Sequence, residues 1–412
     1  MRHVTVIGAG AVGASTALAL RRDGYAVTLL ERGDPGMGTS FGNAGMLSVT
    51  SCTPVAMPGI LWRVPKLLRD PLGPLYIDWR YLPKLAPWLI RFVQASRPSE
   101  VERISTALMT LLVQIVPAYR ELLGTESFND LTRPSGNLTV YKSDEAFEKA
   151  MKTTQALRKR RGVTMSILGQ SELRQMEPDL SPDHKHGVFM PDSYQTVNPL
   201  RLTQRLVELF VEAGGELARE SVERIEQGSA GRLAAITDKG RCELDLVALC
   251  AGAWSKKLAA DCGVRVPLDT ERGYHVMLPN PGVTVRHPLT SGDHDFVATP
   301  MEHGLRLAGT VELAGLDKPP NMQRAAVLLK AARTMFPNMK EDGLTTWMGH
   351  RPSMPDSLPV IGRAPGNERV FMGFGHGHLG LTFGAITGLL ISDMVAGRPN
   401  RVDLHPFRPD RF

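Results

Sequence analysis

The sequence predicts an α/β fold, α+β overall, that opens with a parallel βαβ unit. Three observations carry that prediction. A short β-branched run, Val4-Thr5-Val6-Ile7, passes straight into Gly8-Ala9-Gly10-Ala11-Val12-Gly13, and the next apolar run, residues 26–30, closes on an acid, Glu31. Farther on, the buried-looking run Leu246-Val247-Ala248-Leu249-Cys250 meets a second small-residue turn, Ala251-Gly252-Ala253-Trp254-Ser255.

The first turn has a physical purpose. Gly8 permits the tight bend, Gly10 lets backbone approach a pyrophosphate, and Gly13 lets helix and strand pack closely. The helix over residues 14–20 presents free N–H groups and a partial positive charge at its start, so Gly8, Gly10, Ala11, Val12 and Gly13 form a cradle for a dinucleotide. Glu31 falls where a carboxylate accepts from both ribose hydroxyls, and an acid there argues against a 2′-phosphate. The motif by itself fits NAD or FAD.

Composition narrows the function classes. The 412 residues carry a formal charge of +6, ordinary for a soluble globular chain of this length, with no dense basic block that would mark a nucleic-acid surface. The local cluster Arg158-Lys159-Arg160-Arg161 reads as a solvated helix end. Cys52, Cys242, Cys250 and Cys262 lack metal-ligand spacing and read as reduced thiols. A strand begins almost at the N-terminus and no uninterrupted apolar run reaches bilayer length, so a cytoplasmic protein is expected.

The remaining elements follow in order. Residues 32–45 are too glycine-rich for regular structure and suit a loop whose amides approach a ligand. Residues 57–93, with Trp62, Trp79, Trp88 and six prolines, read as short broken helices. Residues 99–123, kinked at Pro117, and 143–161 read as amphipathic helices, with Asn137-Leu138-Thr139-Val140-Tyr141 as a strand between them. Asn198 and Pro199 form an N-cap and first turn for a helix ending at Gly214-Gly215. Strands are expected near residues 216–219, 222–226, 233–237, 242–250, 358–362 and 370–374. The last feeds Gly375-His376-Gly377-His378-Leu379-Gly380-Leu381-Thr382 and then a small-residue helix over 383–395, whose N-terminus offers a second anion site.

Five motifs in this order resemble the FAD-dependent D-amino-acid oxidase superfamily, most closely its bacterial D-amino-acid dehydrogenase branch. They are the opening fingerprint, Thr39-Ser40-Phe41-Gly42-Asn43-Ala44-Gly45, Ala251-Gly252-Ala253-Trp254-Ser255, Arg351-Pro352-x-x-Pro355-Asp356-x-Leu358-Pro359-Val360-Ile361-Gly362, and Gly375-His376-Gly377-His378-Leu379-Gly380. The resemblance spans nearly the whole chain. It implies a Rossmann-like FAD-binding domain of residues 1–55, 190–262 and 350–412, and a discontinuous, mixed-sheet substrate domain of residues 56–189 and 263–349.

It also assigns roles. Gly8, Gly10 and Gly13 would hold the pyrophosphate, Glu31 the adenosine ribose, and Arg32 would border the adenine. Ser40, Asn43 and Gly45 would follow the phosphates and flavin, and Ala251, Gly252 and Trp254 would add a second backbone contact. Gly377, Leu379, Gly380 and Thr382 would lie beside the flavin pyrimidine, where a helix N-terminus stabilises developing negative charge. Arg351 would grip a substrate carboxylate with its planar fork, and Tyr274, in Arg272-Gly273-Tyr274-His275, would line the flavin face. His376 is the remaining catalytic candidate, although a histidine at a flavin rim more often serves shape than acid–base chemistry. No cysteine follows Cys262, so FAD should be noncovalent.

The implied activity is oxidation of a D-amino acid, with D-proline and D-hydroxyproline among the options. Hydride would pass from Cα to flavin N5, an imine or 2-oxo acid would form, and electrons would leave to a quinone-like acceptor. A glycine- or sarcosine-type oxidase uses the same scaffold. From other classes, a nicotinamide-dependent dehydrogenase leaves the C-terminal Gly-His-Gly turn without a role. A membrane-docked binding module would rest on Gly59-Ile60-Leu61-Trp62-Arg63-Val64-Pro65-Lys66-Leu67-Leu68-Arg69, whose bulky apolar and basic residues suit peripheral membrane contact.

Overall fold

The computed structural model describes residues 2–61, 64, 68, 73–228 and 232–412. The predicted βαβ unit forms as read: strands His3–Ile7 and Ala26–Glu31 pair in parallel, joined by helix Ala11–Arg22. They sit inside a six-stranded sheet ordered Glu216–Arg219, Ala26–Glu31, His3–Ile7, Leu246–Leu249, Asn367–Phe374, Val360–Ala364. The first five strands run parallel and the last pairs antiparallel. Three adjacent parallel strands therefore deliver three small-residue turns, after Ile7, Leu249 and Phe374, to one edge of the sheet. In open parallel sheets that carboxyl edge is where ligands bind.

One face of this sheet is covered by helix Gly380–Ala396, which is buried without interruption from Leu381 to Asp393. Added methyl groups at Gly384 and Gly388 would stand 3.1 Å from the Ala11 carbonyl oxygen and 2.6 Å from the Ser15 carbonyl carbon. The two helices thus meet backbone to backbone, an approach only glycine permits. The Tyr119 hydroxyl donates to the Leu381 carbonyl from a third helix, Ile115–Leu131. The helical stretches Pro98–Leu131 and Gly377–Ala396 are long and apolar enough to cross a membrane by length and composition, but 83% of the second one's apolar window is buried within the protein. Its apolarity supplies the core.

A second, mixed sheet stands over the ligand edge of the first. Its order is Thr345–Ser353, Asp269–Leu278, Gly304–Leu313, Phe296–Met301, Leu289–Ser291, Asn137–Tyr141, His186–Met190, Ser166–Gly169, with Leu75–Ile77 paired beside Gly304–Leu313. Helix Ala325–Met335 packs against Tyr274, Val276 and Leu278 on its far side.

Several elements differ from their sequence reading. The helix of residues 99–123 divides into Pro98–Leu112 and Ile115–Leu131, so Pro117 sits in a first turn, where its missing N–H is no loss. Residues 143–161 form two helices broken at Thr153. Residues 242–250 belong to two strands, Gly240–Leu244 and Leu246–Leu249, in different sheets. Residues 75–77 are a strand, and Leu82–Ala95 is one helix with Pro87 inside it. Arg160 and Arg161 are not simply solvated: both pair with Glu102, at 2.6 and 2.5 Å. Much of the Gly59-to-Arg69 reading, Trp62 included, lies outside the described residues.

Candidate active site

The three turns enclose a cavity of ≈ 800 Å³. Gly8, Gly10, Ala11, Val12, Glu31, Arg32, Ser40, Asn43, Ala251, Gly252, Trp254, His376, Gly377 and Gly380 all line it, so most of the residues singled out from sequence converge on one space. Gly8 holds a left-handed backbone, φ +100°, and an added Cβ would meet the Cys250 carbonyl at 2.7 Å. Gly10 is the N-cap of its helix and offers no side chain, so the Ser40 hydroxyl accepts from the Ala11 N–H at 3.0 Å. Glu31 accepts from the Ala9 N–H at 2.7 Å and the Gly33 N–H at 3.2 Å, which fixes its carboxylate at the cavity wall. Arg32 lies over the Trp254 ring at 3.8 Å, giving a flat cationic surface at the same end.

Four cradle residues act from behind. Gly13 is buried, and a Cβ there would stand 1.7 Å from the Gly8 carbonyl oxygen, so its role is the close helix–strand packing. The Gly45 N–H donates to the Asn43 side-chain oxygen, and its carbonyl accepts from the Thr196 N–H. Leu379 and Thr382 are buried, and the Thr382 hydroxyl donates to the Met46 carbonyl, tying the C-terminal helix to the glycine-rich loop. Asn43 completes that tie by donating to the His378 carbonyl.

Opposite the C-terminal turn stands one face of the second sheet. Strands Asp269–Leu278 and Thr345–Ser353 are antiparallel, with Asp269 facing Ser353, Glu271 facing Arg351, Gly273 facing Gly349 and His275 facing Trp347. Directly opposed residues share a face, so this ladder grades from charged, through two glycines, to aromatic. Arg351 lies across Gly273, where a Cβ would be 2.2 Å from Nη2, and donates to the carbonyls of Gly309 and Thr310 at 3.2 and 3.0 Å. Burial lowers its pKa, and Glu271 opposes that shift.

At the other end His275 stacks on Trp347 at 5.1 Å, and Phe41 meets Trp347 edge-on at 5.8 Å. Arg306 donates to the carbonyls of Phe41 and Asn43, locking the glycine-rich loop to the sheet, and burial lowers its pKa to about 10.

Tyr274 belongs to the other face. Strand residues alternate, and with His275 toward the Gly42 carbonyl, Tyr274 turns into the core beneath Ala325–Met335. Its hydroxyl donates to Glu312 at 2.5 Å and accepts from the Asn321 N–H, while burial and then Glu312 push its pKa up to about 12. Tyr274 thus stands in the core behind the sheet face that carries His275, and it does not line the cavity. His376 is also placed structurally: its ring shares a hydrogen bond with the Thr387 hydroxyl at 3.0 Å, and burial lowers its pKa to about 3. An imidazole so held is neutral at ordinary pH and a poor base. Glu271, His275, Arg306 and Trp347 were not read from sequence. Counting alternate positions outward from Gly273 would have found the first two.

The fold and cavity define a dinucleotide-binding oxidoreductase, and comparison with known proteins makes that definite. Residues 3–394 match the family model described as FAD dependent oxidoreductase, and the chain belongs to that family. It is 39% identical to a D-amino-acid oxidase of Bradyrhizobium diazoefficiens, over 100% of this chain and 99% of that one. It is 30% identical to a D-amino acid dehydrogenase of Paramagnetospirillum magneticum, over 99% and 98%. Among solved structures it resembles glycine oxidase from Geobacillus kaustophilus, with a TM-score of 0.74, 21% identity and full coverage of both chains.

The cofactor is FAD, which sets aside the nicotinamide reading, and the residues present fit it. The glycine turn has no room for a Cβ at Gly8, and the helix start, the Glu31 carboxylate and the Arg32–Trp254 surface face one continuous cavity.

Proposed function

We propose that this chain oxidises a D-amino acid, D-proline and D-hydroxyproline among the substrates to test first, to an imine or 2-oxo acid. The reading rests on one observation: a half-buried arginine, Arg351, whose guanidinium is held by two neutral carbonyls on the sheet face opposite the cofactor cavity. Neutral acceptors fix its position and leave its charge for an incoming carboxylate, which a planar fork grips through two charge-assisted bonds. The Gly273–Gly349 step beside it lets the Arg351 guanidinium lie flat over Gly273 and the Trp347 ring over Gly349. Phe41, His275 and Trp347 wall the far end and keep water out.

FAD, when bound, supplies the hydride acceptor. It is held noncovalently on this reading, since no cysteine follows Cys262, and its electrons leave to a quinone-like acceptor. On this reading the cofactor domain comprises residues 1–55, 190–262 and 350–412 and the substrate domain residues 56–189 and 263–349, with strand Thr345–Ser353 of the second sheet crossing between them. Exposed Leu61 and Trp79, the latter beside Arg80, support a peripheral membrane contact.

The test is product formation from matched D- and L-amino acids with an artificial electron acceptor. A 2-oxo acid from D-isomers supports the reading, and product from L-isomers alone contradicts it.

A further inference from the structure

We infer that Glu271 receives the substrate's ammonium group and takes one proton from it, so that the site binds the whole zwitterion and not its carboxylate alone. This rests on the amino-acid reading above and deepens it.

The geometry begins with the register. Glu271 and Arg351 are direct cross-strand partners and share the face that looks toward the C-terminal turn. Glu271 is 7% exposed, and Arg351 lies one step away across Gly273. Yet the two are not bonded to each other: both terminal nitrogens of Arg351 donate to the Gly309 and Thr310 carbonyls, and the Ser353 side chain is the hydrogen-bond partner of Glu271. A buried carboxylate and a half-buried guanidinium held side by side, each with neutral partners, complement a ligand that carries both charges on one carbon. A site evolved for a carboxylate alone has no use for a second buried anion there, because Glu271 repels that group and its own desolvation is costly.

The chemistry gives Glu271 a task. Amino acids arrive as ammonium ions, and oxidation at Cα requires a free lone pair on nitrogen. An N–H bond of the ammonium breaks, its electron pair stays on nitrogen, and the proton forms an O–H bond with Glu271; it passes to water once the product has left. Burial raises the carboxyl's pKa, against the pull of Arg351 and Ser353, and so makes it a better acceptor than a solvated carboxylate.

Of the other titratable groups around it, Asp269, Arg272 and His376 are otherwise engaged. Asp269, on the same face, accepts the Tyr81 hydroxyl on both oxygens. Arg272 points to the opposite face beside Glu312. From the C-terminal turn, His376 is neutral and bonded to Thr387, and His378, near Arg351, is exposed.

The experiment uses FAD-loaded enzyme and two ligands that cannot be oxidised, 2-aminoisobutyrate, which has no Cα–H, and isobutyrate, which has no amine. Calorimetry in buffers of different ionisation enthalpy counts protons as well as affinity. Wild type should bind 2-aminoisobutyrate near neutral pH with no net proton release. Glu271→Gln should bind it at least roughly tenfold more weakly and release about one proton per ligand, while isobutyrate binds the variant as tightly as wild type or more so. Glu271→Asp should restore the wild-type proton count. Equal effects of Glu271→Gln on both ligands, with no proton released, overturn the inference alone. Failure of both ligands to bind wild type overturns it together with the carboxylate reading.

Discussion

The Arg351 guanidinium donates at 3.0 Å to the carbonyl of Thr310, and Thr310 holds a left-handed backbone, φ +56°. A β-branched residue is strained there by about 1–3 kcal/mol. The strain has a local origin. Pairing between Asp269–Leu278 and Gly304–Leu313 shifts between Arg272 and Tyr274, so the second strand carries an extra residue at this point. Such a bulge re-aims backbone groups, and here it turns two successive carbonyls onto one guanidinium.

Arg351→Ala should therefore lower kcat/KM for carboxylate substrates by at least roughly 30-fold, since removing a partner from a desolvated charged contact costs about 2–5 kcal/mol. Flavin content should not change, because Arg351 is not among the residues lining the cofactor cavity. Arg351→Lys should recover only part of the loss, having charge without the fork. Steady-state kinetics beside the flavin-to-protein absorbance ratio checks both; unchanged kinetics would show that the arginine has another role.

Glycines of the two loops should separate sharply. Gly13→Ala places a methyl 1.7 Å from the Gly8 carbonyl oxygen, whereas Gly38→Ala meets nothing within 4 Å. The first should yield protein unable to retain FAD, with stability reduced by at least about 3 kcal/mol through overpacking; the second should fall within about 0.5 kcal/mol of wild type. Denaturant unfolding and flavin content are the measurements.

Acid should destabilise the fold before most carboxylates titrate. Burial, joined for His275 by Arg306, lowers the pKa of His275 to about 4 and of His376 to about 3. Below about pH 6.5 the unfolded chain binds protons that these folded histidines refuse, so stability falls with pH, by about 1.4 kcal/mol per unit for each ring. The loss should develop from about pH 6.5 down to about 4 for His275 and about 3 for His376, and above pH 7 neither ring contributes. His376→Gln should flatten part of this decline in a stability–pH profile, and its activity profile should keep any limb seen in wild type.

Leu61 and Trp79 are 57% and 72% exposed. Replacing both with serine should reduce co-sedimentation with anionic liposomes and leave dye-linked turnover intact. Equal sedimentation of variant and wild type would remove the membrane contact.

Much of the cofactor side was legible in the sequence because its chemistry is local. A turn that needs glycine at Gly8 and Gly13, followed by Glu31 at the end of the next strand, declares itself within one βαβ unit, and the Asn198 cap with Pro199 declared its helix equally well. The substrate side is assembled from distant strands. Asp269–Leu278 is buried along nearly its whole length, so no alternation of polar and apolar residues showed which way Tyr274 pointed. The partners that settle it, Glu312 and the Gly42 carbonyl, lie far away in sequence. Glu271 escaped notice for the same reason: its significance comes from facing Arg351 across a strand pair that only folding creates.

The most direct test of the central claim is the visible spectrum of the purified enzyme, followed anaerobically while matched D- and L-amino acids, proline and hydroxyproline included, are added separately. The account predicts oxidised-flavin bands that a D-isomer bleaches and its L-isomer does not. Flavin bands that no D-amino acid bleaches, while an L-isomer or an amine without a carboxylate does, would contradict it.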